Sequence, residues 1–163
     1  MFDQIFPNLT DRNSSAESPQ TTRYNCVAWA VHNDLMNIWP DADNAWPIGM
    51  PRDETVEGMV AFFKQLGFEE CPDSSFESGF EKIAIYARNS VPQHVARQKS
   101  DGRWTSKLNV LADIWHSSPD VLECGDMIEN GYGSVVKIMR RQNDGRPPVL
   151  PPMHPPPPII IRL

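Results

Sequence analysis

The dipeptide Asp101-Gly102 places the strongest constraint on how this 163-residue chain can fold. Asp-Gly between two runs of strand-forming residues is a strong β-hairpin signal, because both residues accept the positive φ angles of tight turns. The flanking runs, 93–98 and 103–108, are therefore predicted to be antiparallel strands. Two more strands are predicted at 82–87 and 132–139, which are rich in β-branched and aromatic residues.

Two helices are predicted before these strands. The first spans 26–38, with Asn25 as its N-cap and apolar residues at helical spacing. The second spans about 53–66 and is ended by Gly67. A short helix is also predicted at 109–116. Helices followed by an antiparallel meander are typical of an α+β fold.

Composition divides the chain into three segments. Residues 1–22 are polar and turn-rich, which predicts an extended lead-in, and residues 23–143 form the folded domain. Residues 144–163 are proline-rich and favour polyproline II, which predicts an extended C-terminal arm. The functional alternative for this arm is docking onto a protein partner. We expect its apolar end, Ile159-Ile160-Ile161, to pack against the chain itself or a partner.

The charge and cysteine content exclude several classes of protein. Fifteen Lys and Arg against 21 Asp and Glu give a net charge of −6, which argues against nucleic-acid binding. No apolar run approaches the roughly 20 residues that span a bilayer, and the N-terminus does not resemble a signal peptide. Three widely spaced cysteines suit a reducing compartment. We therefore predict a cytoplasmic protein without membrane contact, or alternatively a signal-less secreted effector.

Cys26 carries the main functional signal. It lies at the predicted start of the first helix, where free backbone N–H groups and the helix macrodipole favour the anionic form of a thiol. The thiolate is the nucleophile of cysteine hydrolases. Cys71 and Cys124 lack this setting, and we expect them to be bystanders.

His94 is the predicted base, which takes the thiol proton and returns it to the leaving group. A third polar residue on the next strand is expected to orient its imidazole. Ser106 is preferred, because it lies twelve residues after His94 and side chains of equal parity share one face of a sheet. A bulge in the turn would give this role to Thr105 or Lys107 instead, and Asp113 and His116 are further candidates.

The same reaction needs donors for the oxyanion and walls for a cleft. The backbone N–H of Cys26 is expected to supply one hydrogen bond, and Gln20 or Tyr24 a second. Trp39 and Trp46 lie in a loop, where they either anchor the loop to the body of the domain or wall the cleft.

The cysteine segment, Asn25-Cys26-Val27-Ala28-Trp29-Ala30, resembles the signatures of NlpC/P60 and CHAP hydrolases, a small branch of the papain-like superfamily. His94-Val95-Ala96, followed by Asp101-Gly102-Arg103, is similar to the histidine strand and turn of those enzymes. The resemblance implies a papain-like α+β fold, with N-terminal helices packed on a small antiparallel sheet. It also implies that Cys26 is the nucleophile and His94 the base.

A closer similarity is to an uncharacterised bacterial domain family. Its pattern includes Tyr-Asn-Cys-x-Ala-Trp-Ala, here residues 24–30, and a Trp-Trp-Pro loop, here Ile38-Trp39-Pro40. It continues with His-x-Ala-Arg-Gln at 94–98 and Asp-Gly-x-Trp-Thr-Ser-Lys-Leu at 101–108. This similarity covers about residues 18–140.

Three functions are consistent with these observations. The first is a cysteine hydrolase, a peptidase or amidase acting on a peptide or protein substrate. The second is a non-catalytic interaction module, adaptor or immunity-like, that binds through the tryptophan loop and the arm. The third is a deamidase or acyltransferase effector with the same cysteine and histidine. The enzyme hypotheses require Cys26 and His94 to meet in a cleft, whereas the interaction hypothesis predicts a buried, inert Cys26.

No metal or cofactor is predicted. The alternative is a metal site built from His32, His94, His116 and a cysteine, but no pair of them has the spacing of metal ligands.

Overall fold

The computed structural model describes residues 5–108 and 112–155, and in these residues the chain is mostly β. The helices are α1 (Cys26–Ala30) and α2 (Val56–Gln65), and Pro119–Leu122 forms a single 3-10 turn. The strands are β1 (Ser14–Ala16), β2 (Trp46–Pro47), β3 (Glu69–Cys71), β4 (Phe80–Arg88), β5 (Val91–Gln98), β6 (Trp104–Lys107), β7 (Asp113–His116), β8 (Ser134–Gln142) and β9 (Met153–His154).

Seven strands form one sheet in the order β1-β7-β6-β5-β4-β8-β3, and all of its pairs are antiparallel. Strand β4, which lies between β5 and β8, is buried on both faces. Ile83 and Ile85 join the larger core with both helices, and Ala84 and Tyr86 join a smaller core on the opposite face. The four strands predicted from the sequence are all present, and each extends or shortens by only a few residues.

The expected papain-like α+β fold with N-terminal helices is wrong, because a large sheet dominates and the first helix is short. Helix α1 ends at Ala30 rather than at 38, and His32 adopts a left-handed φ of 62°. The amide of Asn25 explains the early end. Besides accepting from Ala28 N, its Oδ1 accepts from Ile38 N at 3.0 Å, and its Nδ2 donates to Ile38 O at 2.7 Å. These hydrogen bonds hold the backbone of Ile38 beside the start of α1, so the chain has to turn back after the helix.

Helix α2 lies close to its predicted position. It begins at Val56 rather than near 53, because the Thr55 side chain caps it by accepting from Gly58 N at 3.0 Å. Gly67, with a φ of 91°, follows its C-terminal end as predicted.

The helix predicted at 109–116 is also wrong. Residues 113–116 form strand β7, and residues 109–111 lie outside the described part of the chain. Strand β7 is paired on both sides, with β6 and with β1, so backbone hydrogen bonds from two neighbours outweigh any local helical preference. Because β1 comes from residues 14–16, part of the predicted lead-in belongs to the sheet.

The first part of the C-terminal arm is also paired within the chain. Met153–His154 form an antiparallel pair with Trp46–Pro47, and Pro152 O accepts from Ile48 N at 2.9 Å. Leu150 packs against the larger core. Residues 156–163, with the three isoleucines, lie outside the described residues. Within the described ranges, no helix is long and apolar enough to cross a membrane.

Candidate active site

A cavity of about 280 Å³ lies beside the N-terminal end of α1 and contains the predicted nucleophile and base. Its lining residues are Asn25, Cys26, Trp39, Arg88, Gln93, His94, Asn130 and Tyr132. They come from the start of α1, the tryptophan loop, the end of β4, the start of β5 and the loop before β8. Residues far apart in the sequence therefore share one cavity.

Helix α1 packs against strands β5 and β6. These strands pair only at Arg97↔Thr105 and Gln98↔Trp104, so the first half of β5, which includes His94, is not paired to β6. Two hydrogen bonds fix the helix on the sheet. Trp29 Nε1 donates to Thr105 Oγ1 at 3.0 Å, and Arg97 Nη1 donates to Trp29 O at 3.1 Å.

A buried chain of hydrogen bonds leads away from His94. Its Nε2 lies 2.9 Å from Ser106 Oγ, and Ser106 Oγ lies 2.8 Å from His116 Nε2. His116 Nδ1 lies 2.9 Å from the backbone oxygen of Ser118. His94, Ser106 and His116 are each at most 1% exposed. We call this chain the His94 relay.

The end of the relay fixes the tautomer of each histidine. A backbone oxygen can only accept, so His116 carries its proton on Nδ1 and its Nε2 is an acceptor. The Ser106 hydroxyl then donates to His116 and accepts from His94 Nε2–H. His94 consequently keeps the lone pair on Nδ1, the ring nitrogen that a general base needs to be free.

Burial keeps both imidazoles neutral. It lowers the pKa of His94 well below 6.5, helped by the neighbouring His116, and it lowers the pKa of His116 to about 4. Neutral rings are the state that the tautomer assignment requires. At pH 7 the relay therefore has no net charge.

The thiol of Cys26 is protonated at rest, in contrast to the anionic form expected from a helix start. Burial raises its pKa to about 11, against the opposing effect of the N–H groups of Val95, Val27 and Cys26 itself and of the Lys107 charge. Helix α1 has only five residues, and its dipole is too small to offset the loss of solvent. Its proton therefore has to be removed during a reaction.

Tyr132 holds the plane of the His94 ring. The two rings are stacked at a centroid distance of 4.1 Å and an angle of 5°. Gly133, next in the chain, has a φ of 72°, and a Cβ there would lie 2.0 Å from the Ala87 oxygen. Only glycine permits this close approach of the loop to β4, which brings Tyr132 over the imidazole.

A comparison with protein families assigns this chain to one of them. Residues 15–140 match the model of DUF7689, a domain of unknown function. The chain belongs to this family. The matched range includes Cys26, His94, Ser106 and His116, and it ends inside β8, before the C-terminal arm. No curated protein and no solved structure matches the chain.

Among the other residues predicted for the site of this DUF7689 domain, Trp39 lines the cavity that contains Cys26, whereas Trp46 and Gln20 do not. Trp39 lines the cavity, with its Nε1 donating to Glu54 Oε1 at 2.7 Å. Trp46 is fully buried, where it stacks on Phe62 and anchors its loop. Gln20 is exposed and lines a different cavity.

Tyr24 is hydrogen bonded in a neighbouring polar cluster with Ser18 and Asp113. Its hydroxyl donates to Asp113 Oδ2 at 2.7 Å, and Ser18 Oγ donates to the same oxygen at 2.8 Å. Burial and the Asp113 carboxylate raise the pKa of Tyr24, so it remains a donor. Of the other candidates for the third residue, Thr105 contacts α1, and the Lys107 ammonium lies 5.5 Å from the centre of the Tyr24 ring.

Sequence reasoning did not select Arg88, Gln93, Asn130 or Tyr132 for the site. Nothing in their local sequence distinguishes them. Asn130 and Tyr132 lie in a loop whose Gly131 and Gly133 pack closely against neighbouring residues. Asn25 was expected only as a helix cap. The described residues contain no group of three or more His, Cys, Asp or Glu that could hold a metal ion.

Proposed function

We propose that this domain is a cysteine-dependent hydrolase, a peptidase or amidase that acts through a thioester on Cys26. One observation carries the proposal. The thiol of Cys26 and the imidazole of His94 line the same cavity, and the His94 relay leaves the free lone pair on Nδ1. Nothing in the proposal depends on a papain-like fold.

In the first step, Cys26 Sγ attacks the carbonyl carbon of an amide while its proton passes to His94 Nδ1. The C–N bond then breaks, and His94 gives the proton to the departing amine. The imidazolium is transient, and its Nε2–H remains hydrogen bonded to Ser106. Because the Cys26 thiol and the His94 imidazole are both neutral at rest, the thiolate–imidazolium ion pair forms only during the attack on the carbonyl carbon.

The oxyanion of the tetrahedral intermediate needs donors in the cavity. The backbone N–H of Cys26 lies in the first turn of α1, where N–H groups have no partner within the helix. Asn25 and Gln93 add side-chain amides. Asn25 Nδ2 donates one hydrogen to Ile38 O, and Gln93 Nε2 donates one to Val91 O, which leaves each amide a second N–H.

In the second step, water attacks the thioester carbonyl. His94 Nδ1 takes a proton from the water, and the carboxylic acid product leaves as the proton returns to Cys26 Sγ. An acceptor other than water would make the same acyl-enzyme a transferase, and a side-chain amide as substrate would make it a deamidase. All three reactions share the first step.

The interaction-module alternative predicts a buried, inert Cys26; the thiol is buried, but it lines a cavity together with His94, which that alternative does not require. The alternative relies on the tryptophan loop and the arm, and within these Trp46–Pro47 and Met153–His154 are paired with each other as β2 and β9. That pairing uses part of each feature to stabilise the domain itself.

The proposal is tested by trapping the acyl-enzyme. The protein is incubated with a peptide digest of a bacterial proteome, quenched in acid, and mapped by mass spectrometry. We expect a hydroxylamine-sensitive adduct on Cys26 in the wild type and in Cys71→Ser, and none at residue 26 in Cys26→Ser or His94→Gln. The proposal is overturned if no such adduct forms and Cys26 also resists iodoacetamide at pH 9 until the protein unfolds.

A further inference from the structure

Arg88 is the charged side chain of the cavity that holds Cys26. The eight lining residues include no Asp or Glu, and both the thiol and His94 are neutral at rest. Among the described residues, Arg88 has no carboxylate partner, and it donates hydrogen bonds to the backbone oxygens of Ile128 and Gly131. A chain with a net charge of −6 thus has a cavity that is positive.

The guanidinium is held in place from one side. Arg88 ends β4, and its Nη1 donates to Ile128 O at 2.8 Å and to Gly131 O at 3.3 Å. The loop that carries these oxygens is itself tightly packed, since a Cβ at Gly131 would lie 2.2 Å from Cys124 Sγ. The N–H groups on Nε and Nη2 remain for a ligand. A planar donor fork fixed in this way matches a carboxylate.

We infer that Arg88 binds a carboxylate of the substrate, next to the carbonyl that Cys26 attacks. This inference rests on the proposed function and adds the substrate class: amides or peptides that carry a carboxylate close to the cleaved bond. Gln93 and Asn130, which line the same cavity, supply uncharged polar contacts around that group. A neutral substrate of the same shape leaves Arg88 unpaired and is bound less well.

Two alkylating reagents test the charge preference without any substrate. Iodoacetate and iodoacetamide have nearly the same shape, but only iodoacetate carries a carboxylate. Both react with the same thiolate, so the ratio of their rates at Cys26 cancels any change in the pKa or exposure of the thiol. The rates are measured at pH 9 and low salt, residue by residue, with Cys71 as the internal control.

We expect the iodoacetate-to-iodoacetamide ratio at Cys26 to fall about fivefold in Arg88→Gln, the factor expected for two unit charges about 4 Å apart in water. Gln retains a donor for the loop oxygens. Arg88→Lys keeps the charge and is expected to keep most of the ratio, and the ratio at Cys71 is expected to stay constant. In the wild type, added salt should also lower the ratio at Cys26.

An unchanged ratio in Arg88→Gln, with both variants folded by circular dichroism, overturns the inference. If Arg88→Gln does not fold, Arg88→Met takes its place, and an unchanged ratio there overturns the inference; salt alone does not decide, because the Lys107 charge also acts on the Cys26 thiol. Failure of the proposed function looks different. In that case no acyl-enzyme forms, whereas the reagent ratio still reports the charge of the cavity.

Discussion

Two histidines of this domain have contrasting surroundings: His94 in strand β5, and His32 in the turn that follows α1. His94 is buried among neutral partners, Ser106 and Tyr132. His32 is partly exposed, and its Nε2 lies 2.5 Å from the carboxylate of Glu81. Glu81 is 3% exposed and also contacts Arg141 at 2.8 Å and Arg97 at 3.7 Å. We call these four residues the Glu81 cluster.

The comparison shows that the groups around a histidine decide whether it belongs to an ion-pair cluster or keeps a lone pair free to act as a base. Burial alone raises the pKa of Glu81, but the hydrogen bonds and charges of His32 and Arg141 outweigh it and lower the pKa. In that cluster one carboxylate faces two guanidinium groups and His32, and we expect it to stabilise the fold. The His94 relay contains no carboxylate, so nothing holds a proton on the imidazole at rest, and its lone pair remains free for a base.

The largest expected effect is on activity, which we expect to depend on His94 and not on His32. Replacing His94 with Gln keeps a donor toward Ser106 but removes the base, which should lower the rate of acyl-enzyme formation by about 10²- to 10⁴-fold. His32→Asn, which tolerates the left-handed φ, should leave that rate within about threefold. Single-turnover kinetics with a peptide identified by acyl-enzyme trapping measures both variants. Equal losses would contradict the division of roles.

The next effect concerns the stability of the Glu81 cluster. Glu81→Gln leaves two buried or half-buried guanidinium groups without their carboxylate, which should cost about 3–5 kcal/mol in the free energy of unfolding. Urea denaturation at pH 7 measures it. Glu70→Gln is the matched control, because that glutamate is exposed and its ion pair with Lys137 contributes little. A cost as small as that of the control would mean that the cluster does not stabilise the fold.

The smallest effect is a pH dependence specific to the relay. The pKa of His116 falls from the usual 6.5 to about 4 in the folded protein, so between these values the unfolded chain binds a proton that the native state does not. Stability from His116 is therefore full above about pH 6.5 and decreases by about 3 kcal/mol as pH falls through about 4.

Urea denaturation between pH 4 and 7 tests this prediction. In His116→Gln, which has no titrating imidazole, the acid loss should be shallower than in the wild type. In His32→Asn it should remain as steep, because the relay is intact. An acid loss that is equally steep in the wild type and in His116→Gln would show that His116 already binds its proton in the native state.

The sequence predicted the hairpin that carries the proposed site. Period-two alternation and the Asp101-Gly102 turn were enough to place Ser106 on the face of His94, because the observed register, Arg97↔Thr105, preserves parity. The N-cap role of Asn25 and the glycine that follows α2 were also correct. These features depend on interactions between residues close together in the chain, and such interactions can be deduced from the order of the residues.

The tertiary structure decided the fold class, the length of α1 and the rest of the cavity. Hydrogen bonds from Asn25 to Ile38 shortened the helix, and pairing with β1 and β6 made residues 113–116 a strand. Contacts between distant segments also placed His116, Tyr132 and Arg88 around His94 and Cys26. The thiol pKa was decided in the same way: a helix start favours the thiolate, but burial by the sheet and loops outweighs a dipole of five residues.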